Sequence, residues 1–324
     1  MHGLVAILCS GQGGQHPAMF DLVGDCPEAE PIFAAAAGLL GQDPRRFVRE
    51  AAAADLFADL SGQILCCTQA LAAWAALGTV RPGRAVIAGY SVGELAAWGC
   101  AGALDASAVL RLAQRRAALM DAAAPTDSGL AAVVGLRRPM LEPILARHAV
   151  SIAIVDAVDS FVLGGTCSEL AVACHEAAAR GARRIVSLRV AVPSHTPLLS
   201  EATEQFRAVL REASPRLPRP GYRLLSGIDG ETIYDMESGI DKLAAQISTT
   251  IDWAACLQSC RSAGAAAALE LGPGTALSRM ASALFPEGRA RAVEEFRTLA
   301  GLRTWLQRSM DSSLYPTPHD LAGD

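Results

Sequence analysis

Charge is scarce in this sequence: 19% of its 324 residues are Asp, Glu, Lys or Arg, against 51% that are apolar. A chain so apolar and so long excludes an extended disordered polymer and holds material for a large core. Nor is there an excess of positive charge. The formal net charge of −5 argues against nucleic acid or an anionic membrane as the main partner. The local basic pairs Arg45–Arg46, Arg115–Arg116, Arg137–Arg138 and Arg183–Arg184 would suit an acidic ligand or an acidic carrier protein. Metal-binding spacing is also missing. The nine cysteines are odd in number and form no zinc knuckle; Cys66 and Cys67 are adjacent, and Cys256 and Cys260 lie one helical turn apart without nearby histidines. They read as buried thiols in a reducing compartment. No basic segment precedes the first apolar run, which therefore reads as a buried strand and not a signal peptide. No unbroken apolar stretch reaches membrane-spanning length. The expectation is a cytoplasmic protein with no metal.

Leu4–Cys9 reads as that first strand, ending in the turn Gly11-Gln12-Gly13-Gly14. A helix is expected over Ile64–Leu77, opened by Ser61-Gly62. The short apolar strand Ala85–Gly89 then runs through Tyr90-Ser91-Val92-Gly93 into a helix over Glu94–Ala101. A long helix follows over Ala106–Ala123, where Val109, Leu112, Ala113 and Met120 share one face with Arg116 at its middle, while Arg115 does not. From Leu130 to Val190 the pattern becomes β-α-β-β-α-β: strands Leu130–Leu136, Ser151–Val155, Phe161–Gly164 and Arg184–Val190, and helices Met140–His148 and Ser168–Arg180. That order is the signature of a ferredoxin-like unit. It lies between Pro125 and Pro193, which implies an insertion. The chain therefore divides into a discontinuous large domain, 1–125 and 193–310, a small subdomain, 126–192, and a flexible tail, 311–324. Beyond the insertion, helices are expected over Leu198–Glu212 and Asp241–Ile247, and strands near Tyr222–Ser226 and over Ala267–Leu271.

Three features carry chemistry. Gly89-Tyr90-Ser91-Val92-Gly93 matches G-x-S-x-G, the turn that lifts a serine between strand and helix and aims backbone N–H groups at a developing oxyanion. The competing reading is a plain glycine turn; the strand before it and the helix after it favour the nucleophile. Among six histidines, His195 stands in the loop Val192-Pro193-Ser194-His195-Thr196-Pro197 and is the candidate base. His16 follows the first glycine turn and could touch a ligand, whereas His148 and His175 read as surface positions, and His2 and His319 lie near the termini. Arg116 admits two readings: an internal ion pair with an Asp or Glu, or a bidentate clamp for a substrate carboxylate.

These residues resemble the malonyl-CoA:acyl-carrier-protein transacylase family. Ser10-Gly11-Gln12-Gly13-Gly14-Gln15 is similar to its opening G-Q-G-x-Q, Gly89–Glu94 to its G-H-S-x-G-E elbow, Val192–His195 to its V-P-S-H, and Glu270–Gly274 to its E-x-G-P-G. The order is the family's, from residue 5 to about 285. The resemblance implies an α/β-hydrolase-like core with an inserted ferredoxin-like subdomain. It also implies a Ser–His dyad, with Ser91 as acyl-accepting nucleophile and His195 as base. Arg116 would bind the malonyl carboxylate, the N–H groups of Gln12 and Val92 would form the oxyanion hole, and Gln63 would line the pocket. The backbone carbonyl of Gln246 would orient the histidine. Malonyl-CoA would be the substrate with no bound cofactor, and an acyl carrier protein the partner.

Two departures stand out: Tyr90 replaces the family's His, and Ser10 its Pro. The spelling of Gly14–Phe20 and Gly93–Gly99 is more similar to the malonyl transferase (epsilon) subunit of malonate decarboxylase, which implies the small carrier subunit of that complex as partner. A fatty-acid or polyketide transacylase is the alternative. A serine esterase or thioesterase would share the elbow and histidine, but would usually add an acid as third member and would have no reason to bury Arg116.

Overall fold

The computed structural model describes residues 3–311; all but the first residue of the expected flexible tail, together with His2 and His319, lies outside them. Among the described residues ten strands form two sheets: β1 (Leu4–Cys9), β2 (Ala85–Gly89), β3 (Ser128–Val134), β4 (Ser151–Ala157), β5 (Ser160–Thr166), β6 (Arg184–Ser187), β7 (Tyr222–Leu224), β8 (Ile251–Asp252), β9 (Ala265–Glu270) and β10 (Ala290–Ala292).

The first sheet runs β10-β9-β1-β2-β7 with every pairing parallel. A parallel sheet is covered on both faces, so its strands need apolar residues at every position. Val5–Cys9 and Ala85–Ala88 meet that need and are fully buried. Helix Asp59–Ala76, buried almost all round, packs against the elbow helix Gly93–Cys100 and against helix Ala106–Ala123. Pairing of Cys9 with Gly89, and of Leu8 with Glu270, brings three strands to an end at one edge. The loops leaving β1, β2 and β9 carry Gly11–Gly14, Ser91 and Gly272–Gly274, so motifs far apart in sequence converge there. Open α/β sheets bind ligands beyond this carboxyl edge.

In the second sheet β6, β3, β5 and β4 pair antiparallel in that order, which is the ferredoxin-like one, with helices Arg138–Leu145 and Cys167–Ala179 on one face. Its other face, including Leu130, Ala153 and Val162, packs with Trp253, Leu257 and the β1–β2 residues Leu8 and Ala88. The fold is thus an α/β-hydrolase-like core bearing a ferredoxin-like unit. A fifth strand was not anticipated: β8, from the far end of the chain, pairs parallel with β4. Two residues are too few to show a period. The helix expected from Ser61-Gly62 begins at Asp59 without a side-chain cap. The one expected at Asp241 begins earlier, at Met236, where Asp235 accepts from the Ser238 N–H. All nine cysteines are free and buried except Cys167 and Cys174, which lie on helix Cys167–Ala179. Among the described residues no helix is long and apolar enough to cross a membrane.

Candidate active site

β2 ends at Gly89, helix Gly93–Cys100 starts four residues later, and Ser91 sits between them in the left-handed region at φ 56°. The turn works only with glycine on either side. A Cβ on Gly93 would fall 2.1 Å from the Cys9 carbonyl oxygen, and one on Gly89 would fall 2.2 Å from the Glu94 nitrogen. A serine held at such φ costs on the order of 1–3 kcal/mol. That strain places its Oγ at the head of a helix, facing the neighbouring loops.

His195 repeats the pattern, with φ 63° and almost complete burial. Its backbone N–H donates to the Ile247 carbonyl at 2.7 Å, and Thr196 Oγ1 donates to the Pro193 carbonyl at 2.7 Å. The loop is therefore pinned on both sides of the ring. Nε2 lies 2.8 Å from Ser91 Oγ, and Nδ1 is hydrogen-bonded to the backbone carbonyl of Gln246. A carbonyl can only accept, so Nδ1 carries the proton and Nε2 presents its lone pair to the serine hydroxyl. Burial first, and the nearby Arg116 charge second, push the imidazole down to about 3. The ring is therefore neutral, as a base must be before it takes a proton.

Arg116 is 1% exposed on the inner face of helix Ala106–Ala123, among Val109, Leu112, Ala113 and Met120. Of the two readings left open by the sequence, the internal ion pair is not what forms. Nη1 donates to Gln63 Oε1 at 2.8 Å and Nη2 to Gln246 Oε1 at 3.1 Å, while Nε has no partner among the described residues. Two amide oxygens are weak compensation for a desolvated cation, and burial lowers the guanidinium pKa. Such a group attracts an anion.

Each glutamine is backed by an acid that sequence reasoning missed. Asp59 Oδ2 accepts from Gln63 Nε2 at 2.8 Å, and its Oδ1 accepts from Gln12 Nε2 at 3.0 Å. Glu94 Oε2 accepts from Gln246 Nε2 at 2.8 Å and from the Gly227 N–H at 3.1 Å. Burial raises both carboxyls, Glu94 to about 7. One signal was available: Asp59 and Gln63 are four apart on a helix, and so neighbours on its surface.

The N–H groups of Val92, at the N-cap of the elbow helix, and of Gln12 in the glycine turn have no acceptor among the described residues. The two loops touch there: a Cβ on Gly11 would lie 2.7 Å from the Tyr90 carbonyl oxygen and 3.4 Å from Ser91 Cβ. The structure thus gathers Ser91, His195, Arg116, Gln63, Gln246, Gln12 and Val92 in one place. His16 is elsewhere, 3.0 Å from Glu294, and His148 bridges the surface carboxylates Glu169 and Glu176. The two departures have local partners. Tyr90 donates to Asp156 of β4 at 3.1 Å and packs edge-on to Trp253, while Ser10 donates to the buried Glu270 at 2.7 Å.

Known proteins of similar sequence and fold match over most of the chain. The chain is 26% identical over 304 residues to the malonyl CoA-acyl carrier protein transacylase of Escherichia coli K12, covering 91% of this chain and 97% of that one. The crystal structure of an acyl-carrier-protein S-malonyltransferase from Burkholderia pseudomallei is similar, with TM-score 0.83, 27% identity, and coverage of 93% of this chain and 99% of that one. So is a malonyl-transacylase in complex with its type II polyketide acyl-carrier protein, with TM-score 0.84, 25% identity, and coverage of 94% and 99%. The profile of the acyl transferase domain matches residues 64–294, the stretch that holds Ser91, Arg116, His195 and Gln246, and the chain belongs to that family.

Proposed function

We propose that this acyltransferase moves malonyl from malonyl-CoA to the thiol of an acyl carrier protein through an ester on Ser91. The observation that carries the reading is Arg116, a buried cation with no acid in contact among the described residues, in the same side-chain cluster as a Ser–His pair. Ser91 Oγ attacks the thioester carbon while its proton passes to His195 Nε2. The N–H groups of Val92 and Gln12 receive the oxyanion; one such donor is commonly worth about 10²–10³ in rate. Collapse breaks the C–S bond, and the imidazolium returns its proton to the departing CoA sulfur. The carrier thiol then attacks the malonyl ester by the same steps in reverse. Arg116 holds the malonyl carboxylate throughout, and the backbone carbonyl of Gln246 fixes the histidine tautomer in place of a third acid. In this reading residues 126–192 form a smaller unit set against the larger one, 1–125 and 193–310.

The similar proteins act with acyl carrier proteins, which supports a fatty-acid or polyketide type of carrier. A second reading, malonyl transfer onto the carrier subunit of a malonate decarboxylase, is supported by the spelling of Gly14–Phe20 and Gly93–Gly99. Intact-mass analysis after mixing with malonyl-CoA tests the chemistry: a malonyl adduct on Ser91, absent in Ser91→Ala, is expected, and rapid free malonate without an adduct would show a hydrolase. Offering the malonylated enzyme a phosphopantetheine carrier or a dephospho-CoA-type carrier separates the two acceptors.

A further inference from the structure

A glutamine amide has two ends of almost equal size and opposite polarity, and only one of them can receive a guanidinium. Next to Arg116 that choice is made twice, the same way. Gln63 and Gln246 both turn oxygen toward the cation, and each gives its NH₂ to a buried carboxylate, Asp59 or Glu94. At Gln246 the NH₂ has a further acceptor, the Ser91 carbonyl at 3.2 Å. Glu94 is fully buried and held in turn by the Gly227 N–H. Its other oxygen, Oε1, has no partner among the described residues. Arg116 and Asp229 act on it only at a distance.

We propose that Glu94 is a positioning residue that orients the Gln246 amide oxygen-first toward Arg116 and thereby sets the preference for a carboxylate-bearing acyl group. Without an acceptor at Glu94, the Ser91 carbonyl alone must hold the Gln246 NH₂. The amide is then free to turn and present N–H to N–H, which displaces the guanidinium from the place where a carboxylate would meet its fork. The backbone carbonyl of Gln246 that holds His195 belongs to the main chain and does not turn with the side chain. The acyl preference changes, while the Ser–His pair keeps its geometry.

The inference rests on Arg116 receiving the malonyl carboxylate, so Arg116→Ala is measured beside it. KM and kcat are determined with malonyl-CoA and acetyl-CoA for wild type, Arg116→Ala, Glu94→Met, Glu94→Gln and Gln246→Met, and for Glu94→Met combined with Gln246→Met. Glu94→Met should raise the malonyl KM about tenfold or more, the usual scale for a hydrogen bond to a charged group, with acetyl changing by less than about threefold. In the Gln246→Met background, Glu94→Met should leave the malonyl-to-acetyl ratio where Gln246→Met alone puts it. Glu94→Gln retains an acceptor: the Gly227 N–H calls for oxygen at Oε2, and that same oxygen receives the Gln246 NH₂. It should keep the ratio within about threefold of wild type. If Glu94→Met lowers both substrates alike, or Glu94→Gln abolishes the preference, the proposal is overturned; the second result decides even where the Met variant does not fold. If Arg116→Ala leaves the ratio unchanged, the carboxylate reading of Arg116 fails instead.

Discussion

Replacing Arg116 by alanine tests the malonyl reading most directly. In wild type the guanidinium is already desolvated, so a malonyl carboxylate reaching it forms charge-assisted hydrogen bonds in a water-poor setting. Removing one partner of such a buried pair costs about 3–5 kcal/mol, which corresponds to a loss of roughly 10²- to 10³-fold or more in malonyl kcat/KM. Acetyl carries no anion. Its rate should change by less than about tenfold, so the malonyl-to-acetyl ratio should fall. The fold bears a smaller load: Gln63 Oε1 and Gln246 Oε1 lose their donor, at about 1–3 kcal/mol each, offset by removal of a buried charge. Arg116→Lys should recover only part of the malonyl rate, because an ammonium cannot supply a planar fork. Arg115→Ala, on the exposed side of the same helix, is the control and should change little. Single-turnover acylation followed by intact mass, with both thioesters, supplies the rates, and thermal unfolding checks that each variant is folded. Equal proportional loss with malonyl and acetyl would refute the argument and leave Arg116 a structural residue.

Much of the site was legible because its chemistry is local in sequence. Gly89–Gly93 specifies an elbow through steric need alone, and a lone arginine on an apolar face declares itself by periodicity. The β-α-β-β-α-β order of the small unit was readable because each element is long enough to show a period. What escaped was long-range. Glu94 looks like one more residue of a buried helix start until Gln246, 152 positions away, is brought against it. Asp59 looked like a residue ahead of a helix that in fact begins with it. β8 has two residues, and its pairing with β4 depends on the whole chain between them. The competing ion pair for Arg116 could be set aside only by seeing glutamines where an acid would have to sit. Sequence shows which groups are costly to bury; the fold shows what compensates them.

The remaining predictions concern the nucleophile, the base, the elbow and the buried acid. Ser91→Ala should abolish the covalent adduct and transfer with little change in unfolding temperature; transfer at a near-normal rate would remove Ser91 from the mechanism. His195→Ala should slow acylation by about 10²-fold or more, whereas His148→Ala, among surface carboxylates, should not; equal losses would indicate damage to the fold. Gly93→Ala should destabilise by about 3 kcal/mol or more, since its methyl meets the Cys9 carbonyl oxygen at 2.1 Å; an unchanged urea midpoint would contradict the close approach of helix and strand. Glu94 should make stability depend on pH in a defined direction. Its carboxyl is raised from 4.5 to about 7 by burial, so the folded state binds its proton more tightly than the unfolded chain. The stability this contributes is complete below pH 4.5 and is lost as pH rises through about 7. Between pH 5 and pH 8 the loss comes to about 2–3 kcal/mol. Glu94→Gln cannot titrate and escapes it, although its NH₂ takes the unpartnered place of Oε1 and imposes a cost of its own at every pH. Urea unfolding at the two pH values should therefore show the difference between variant and wild type moving by that amount in the variant's favour. The comparison cancels every other titrating group the two proteins share. A difference that stays constant from pH 5 to pH 8 would mean that Glu94 ionises in the folded protein as it does in the unfolded chain, and that its environment is far wetter than its burial implies.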